Sequence, residues 1–300
     1  MSTVASMTSS LLSSSGLSTS GLNSPLIHSL ANGLTIIAEQ MPLPAINFNL
    51  WLRVGSAVEA DDINGMAHFL EHMVFKGTHS LGSGEFERAI EGRGAVTNAA
   101  TSQEYTHYYI TTAPHDFELL APLQLDVVCN ASIPDQAFER EKKVVLEEIS
   151  RSEDNPRRRT YLRAMETCFQ DLPYRRPVLG STAVIEGLIP EQMRSFHQRW
   201  YQPAKMTAVA VGNLPTDRLI EIVAESVEQV WHPQAAPCNP SVPTVPAMFP
   251  EPTFTTIVRR EFSDRQLQQA RLVMMWRVPG IQNLEQTYAL DVLSTILGQG

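Results

Sequence analysis

The sequence predicts an α+β protein. Stretches of period-two apolar alternation, which mark half-buried strands, are interleaved over 300 residues with stretches whose apolar residues recur every three or four positions, which mark helices. A second observation concerns order: strand, strand, helix opens the chain and recurs after a proline-rich stretch, as a tandem repeat of one α+β unit would.

Asn32-Gly33 supplies a turn, after which residues 34–39 form a short branched strand ended by Pro42 and Pro44. Residues 46–54 (INFNLWLRV) alternate apolar and polar, so one face meets a core. In residues 66–75, Met66, Phe69, Leu70, Met73 and Val74 recur at helical spacing until Gly77 stops the pattern. A helix at 86–90 ends at Gly92, and residues 105–111 (YTHYYIT) have strand composition. Helices are expected at 117–128, 138–150 and 161–169, and a buried strand at 206–211 ahead of Gly212. Seven prolines between Trp231 and Thr253 mark an extended linker. Beyond it, strands are expected at 254–261 and 270–278 and a helix at 284–297. The domains expected are a Ser-rich tail at 1–24, a metal-binding α+β domain at 25–232, a linker at 233–253, and the start of a second, truncated copy at 254–300.

Composition bounds the chemistry. Apolar residues at 43% and charged residues at 18% are ordinary for a globular chain, and a formal charge of −9 argues against nucleic acid as a partner. Cys129, Cys168 and Cys238 are scattered and odd in number, which suggests a reducing compartment and metal ligation without thiolates. The first 24 residues hold ten serines, and Glu39 is the first Lys, Arg, Asp or Glu of the chain. That pattern fits a disordered tail better than a secretory or organelle signal, so a cytoplasmic protein is expected. No apolar run is long enough to span a membrane, so no membrane partner is expected.

His68 and His72 lie four apart on the helix at 66–75, so both rings project from one face and a single ion can bridge them. Glu71, next to His72, is placed to take a proton from the attacking water without ligating the metal. The spelling His-Phe-Leu-Glu-His inverts the commoner His-Glu-x-x-His order and keeps its logic of two ligands and one base. The alternative, a cluster of ordinary polar residues, must place His68 and Glu71 in a core-like stretch, where unpaired burial costs roughly 1–3 kcal/mol each. A catalytic metal needs a third ligand. Glu148 flanks the apolar stripe of Phe138, Val145 and Ile149 and points to the buried side, whereas Glu147, with Lys143 and Arg151 four positions to either side, belongs to a solvated face. Glu141 either orients a ligand histidine or is a plain helix carboxylate paired with Lys or Arg.

These segments resemble the pitrilysin and insulin-degrading metallopeptidase family, and most of all its smaller branch of mitochondrial processing peptidases and bacterial homologues. GMAHFLEHMVFKGT, GAVTNAATSQEYTHYY, EREKKVVLEEIS and YQPAKMTAVAVGN carry the resemblance. It implies a repeat unit in which helices pack a mostly antiparallel sheet. It also implies one Zn2+ per chain on His68, His72 and Glu148, with Glu71 as catalytic base and Glu141 behind the metal. Asn98 and Ala99 fall on the edge strand to which family members add extended peptide. The activity implied is zinc-dependent endoproteolysis of peptides or small unfolded proteins. The family supplies an arginine and a tyrosine from a C-terminal half, in the same chain or in a homo- or heterodimeric partner, and this sequence stops before such a pair. Where processing peptidases carry acidic residues for arginine-rich presequences, this chain has Arg158 and Leu162, so that specificity is not expected. The run Arg157, Arg158, Arg159 reads either as a preference for acidic substrate or as a solvated basic surface. Some members of the family are non-catalytic scaffold or partner subunits, which is the alternative function.

Overall fold

The computed structural model describes residues 24–231, 251–280 and 283–299. The expected tail thus lies outside the described residues except for Ser24, and the expected linker except for its last three positions. Six strands, β1 (Leu26–Ser29), β2 (Thr35–Gln40), β3 (Ile46–Leu52), β4 (Val96–Thr101), β5 (Thr106–Thr112) and β6 (Met206–Gly212), form one sheet in the order β1-β2-β6-β3-β5-β4. Every neighbouring pair is antiparallel except β2 with β6. Period-two patterning explains the sheet's sidedness: Ile46, Phe48, Leu50 and Leu52 of β3 and Tyr108 and Ile110 of β5 are fully or almost fully buried, while the residues between them are half-exposed.

The buried face carries α1 (Met66–Val74), α2 (Glu85–Glu91), α3 (Phe117–Cys129) and α8 (Thr216–Val230). Around these lie α4 (Asp135–Asp154), α5 (Pro156–Cys168), α6 (Thr182–Gly187) and α7 (Pro190–Trp200), with α9 (Leu284–Gln299) near the end of the chain. This is the α+β class expected. β1 and β4 carry no apolar alternation: β1 is exposed throughout, and β4 is a run of small residues, Val-Thr-Asn-Ala-Ala-Thr. Their place at the two edges of the sheet explains why burial leaves so little trace in them.

The strands expected at 254–261 and 270–278 are corrected by the structure, which has no strand among described residues 251–280. A strand is held by ladder hydrogen bonds to a neighbour, and none pairs with this segment. Side chains tie it to α5 and the residues after it instead. Arg159 meets Asp264 at 2.5 Å, the Arg163 guanidinium lies 4.9 Å from the Phe262 ring centre, and Glu251 accepts the backbone N–H groups of Gln170, Asp171 and Leu172. The helix expected at 284–297 is present as α9, with Tyr288, Val292, Ile296 and Leu297 exposed.

One core contact predicts an acid limb of stability. His197 of α7 is buried, donates from Nε2 to the Val128 carbonyl of α3 at 2.8 Å, and stacks on Tyr201. Burial pushes its pKa from 6.5 down to about 4, opposed by that hydrogen bond. Above pH 6.5 the imidazole is neutral folded or unfolded. As pH falls from 6.5 towards 4, the unfolded chain takes up a proton that the folded chain refuses, so stability is lost across that window. The unfolding free energy of wild type relative to His197→Gln should therefore be flat above pH 6.5 and narrow by about 3 kcal/mol by pH 4. Urea titrations at several pH values give this difference, and a pH-independent gap would sink the argument.

Candidate metal centre and its cleft

α1 and α4 are locked together by Phe69 and Phe138, both fully buried, with ring centroids 4.6 Å apart. Burying rings of this size contributes roughly 2–3 kcal/mol each, which helps hold the two helices against one another. Glu141 and Glu148 are seven residues apart, roughly two helical turns and 10 Å, and so share one face of α4. Contacts run in opposite order along the two helices. His68 faces Glu148, His72 faces both glutamates, and Lys76, just past α1, meets Glu141 at 2.8 Å.

His68 Nε2 lies 3.5 Å, and His72 Nε2 3.6 Å, from the same oxygen, Oε2 of Glu148. Three ligand atoms held tetrahedrally at about 2.1 Å from an ion would be roughly 3.4 Å apart, so the donor set and its spacing fit a divalent metal such as zinc. The three side chains form the one group of this kind among the described residues. His72 Nδ1 lies 3.0 Å from Glu141 Oε1. That contact puts the ring proton on Nδ1 and turns the Nε2 lone pair towards Glu148. Burial draws the Glu141 pKa up, but hydrogen bonds from Lys76 and His72 together hold it below the ordinary carboxylate range, so it stays an acceptor. His68 is held near pKa 4 by burial and by the neighbouring His72, which keeps its ring neutral and able to ligate. Its Nδ1 is buried with no hydrogen-bond partner among the described residues.

Glu71 is not part of this triangle and accepts a hydrogen bond from the Thr101 hydroxyl at the end of β4. Burial raises its pKa, opposed by Thr101 and by His72, and the nearby Glu148 raises it further. A carboxylate tuned upward is the better proton acceptor near neutrality. His68, Glu71, Glu148, Thr101, Arg158 and Tyr161 line one cleft of about 480 Å³. Of the expected site residues, the structure brings His68, His72, Glu148 and Glu141 into contact and sets Glu71 on the same cleft. Asn98 and Ala99 lie further back along edge strand β4, where the Asn98 side chain accepts the Ala99 N–H; Ala100 and Thr101 are the residues of β4 that reach the cleft.

Sequence reasoning missed Glu59 and Thr101. Glu59 is fully buried and accepts from Gly65 N at 2.8 Å, Ala67 N at 2.7 Å and the Asn64 amide at 2.9 Å, so it ties down the first turn of α1. It caps a helix whose own N-cap, Gly65, has no side chain to do so. Gly65 itself is required: its φ is +99°, and an added Cβ would stand 2.6 Å from the Leu179 carbonyl on the cleft wall. Burial pushes the Glu59 pKa up to about 7, against the three hydrogen bonds and Arg176. Glu59→Ala leaves three buried donors without an acceptor, and the expected loss is about 3–5 kcal/mol of stability, read by denaturant unfolding. An isolated Glu in a loop carries no sequence signal of such a role; it becomes visible only when the chain folds it back under α1.

Two family models match the chain. The one described as insulinase (peptidase family M16) covers residues 35–182, and the one described as peptidase M16 inactive domain covers residues 188–300. The chain belongs to the insulinase family of metallopeptidases. An uncharacterised zinc protease of Mycobacterium leprae is 32% identical over 275 residues, which are 91% of this chain and 60% of that protein. Subunit 1 of the mitochondrial cytochrome b-c1 complex of Rattus norvegicus is 29% identical over 90% of this chain and 54% of its own length. Among solved structures, a protease from Helicobacter pylori superposes with a TM-score of 0.70 at 26% identity, covering 77% of this chain and 55% of that one. The chain thus spans about 60% of the length of curated relatives of the insulinase family. The second family model begins ahead of α7, so α7, β6 and α8, which complete the first sheet and its core, fall within its span. Among the described residues, no helix is long and apolar enough to cross a membrane.

Proposed function

We propose that this chain is the metal-bearing part of a zinc metalloendopeptidase that hydrolyses peptides or small unfolded proteins. The observation that carries this reading is the convergence of two imidazole nitrogens on one Glu148 oxygen at 3.5 and 3.6 Å. His68, His72 and Glu148 would hold one Zn2+, which when bound polarises the scissile carbonyl and acidifies water. Glu71 takes the proton of the attacking water and returns it to the leaving amine, with the Thr101 hydroxyl fixing the orientation of its carboxylate. Glu141 and Lys76 keep His72 in the tautomer that offers Nε2. Peptide enters as an added strand on the free edge of β4 along Asn98 and Ala99, so main-chain pairing supplies affinity and side chains are read only near the metal.

The same reading assigns residues 25–232 to the metal-binding domain and 254–300 to the start of its homologue, and within the family it favours the smaller, processing-peptidase branch. An arginine and tyrosine pair from a C-terminal half or a partner subunit completes the substrate site, in a homo- or heterodimer. A cytoplasmic location is supported by Cys129 and Cys168, which are buried and unpaired. The second reading, a non-catalytic subunit of a larger assembly, draws on similarity to the rat cytochrome b-c1 subunit. Metal analysis and cleavage of an internally quenched peptide decide between them. One zinc per chain with cleavage supports the peptidase, one zinc without cleavage even when a C-terminal half or partner subunit is supplied supports the subunit, and no zinc sinks both the ligand assignment and the hydrolase.

A further inference from the structure

The lining of the cleft beside the candidate metal centre carries a cation as well as carboxylates. Besides His68, Glu71 and Glu148, the lining includes Arg158 from the first turn of α5 and, one turn later, Tyr161. The Arg158 guanidinium lies 5.7 Å from the Tyr161 ring centre. No carboxylate among the described residues pairs with it. Its neighbours differ: Arg159 is bound to Asp264 and to the Gln266 side chain, and Arg151 is bound to Glu147. Of the three consecutive arginines, Arg158 is thus the one on the wall of this cleft. Its backbone is held there because the Asn155 side chain accepts both Arg157 N and Arg158 N, and Pro156 starts the helix.

A half-buried guanidinium over an aromatic face, with its fork of donors unfilled, is a receptor for a carboxylate. The other charged groups on the cleft are Glu71 and Glu148, and neither supplies that carboxylate within the described residues. We propose that Arg158 makes this cleft select peptides carrying an aspartate or glutamate side chain next to the scissile bond. The inference rests on the peptidase reading of the metal centre, and it deepens that reading by naming the substrate class. A basic side chain at the same place meets like charge across the cleft and is disfavoured.

The test uses quenched peptides identical except for Glu, Gln or Lys at each position flanking the cleaved bond. Wild type should cleave the best Glu peptide with kcat/KM about tenfold above its Lys counterpart, and Arg158→Glu should reverse that order. A Glu-to-Lys ratio left unchanged by Arg158→Glu overturns the proposal. The same peptides are also titrated by fluorescence anisotropy onto Glu71→Gln, with and without Arg158→Glu, where binding is read without cleavage. A charge preference in binding that inverts with residue 158 upholds the proposal even if wild type cleaves nothing, in which case the hydrolase reading alone falls. Binding with no charge preference overturns it.

Discussion

Glu71→Gln should retain one zinc per chain and lose roughly 10²–10⁴-fold in peptide hydrolysis. The substitution preserves shape and the ability to accept a hydrogen bond from Thr101, so the local fold has no reason to change. It removes the one function that an amide cannot perform, accepting a proton. Glu71 is the residue for this experiment because it stands outside the triangle of ligand atoms yet on the same cleft. The wild-type activity should rise with pH through the limb of a carboxylate base, and the variant's residual rate should lack that limb. Retained zinc with undiminished cleavage would remove Glu71 from the chemistry. Lost zinc would make it a ligand or a support of one.

His72→Ala carries the second large effect, this time on the metal. His72 joins both glutamates of α4, through Nε2 to Glu148 and through Nδ1 to Glu141, so its removal leaves two ligands and a carboxylate with nothing to orient. Ligand binding to the folded state alone stabilises by RT ln(1 + [L]/Kd), about 4 kcal/mol at a thousandfold excess over Kd. Zinc added at that excess should therefore raise the unfolding free energy of wild type by about that amount and leave His72→Ala nearly unmoved. Calorimetry with and without zinc reads the difference. An equal gain in both proteins would place the metal elsewhere.

How much of this was legible in advance depended on how each residue is held. The helix bearing His68 and His72 was readable because its partners are local: four residues and one turn bring both rings to one face whatever surrounds them. Strands at 34–39, 46–54, 105–111 and 206–211 were readable because one buried face imposes alternation, and each appears within two residues of its expected bounds. β1 and β4, at the edges, bury too little to write a pattern. The strands expected at 254–261 and 270–278 had the pattern but lack the neighbour, since alternation records a face and not the hydrogen-bonded partner that makes a strand.

Alone, the sequence determined the residue types available for ligation and proton transfer, their spacing within each helix, and the sidedness of the central strands. Tertiary structure decided the rest: that α4 runs against α1 so Glu148 meets two imidazoles, that Glu59 reaches under Gly65 and Ala67, and that Arg158 stands on the wall of the same cleft. The physical reason is range. A helical period acts over four residues and can be counted, whereas these contacts join residues far apart in the chain and exist only once apolar packing, Phe69 on Phe138 above all, has chosen which faces meet.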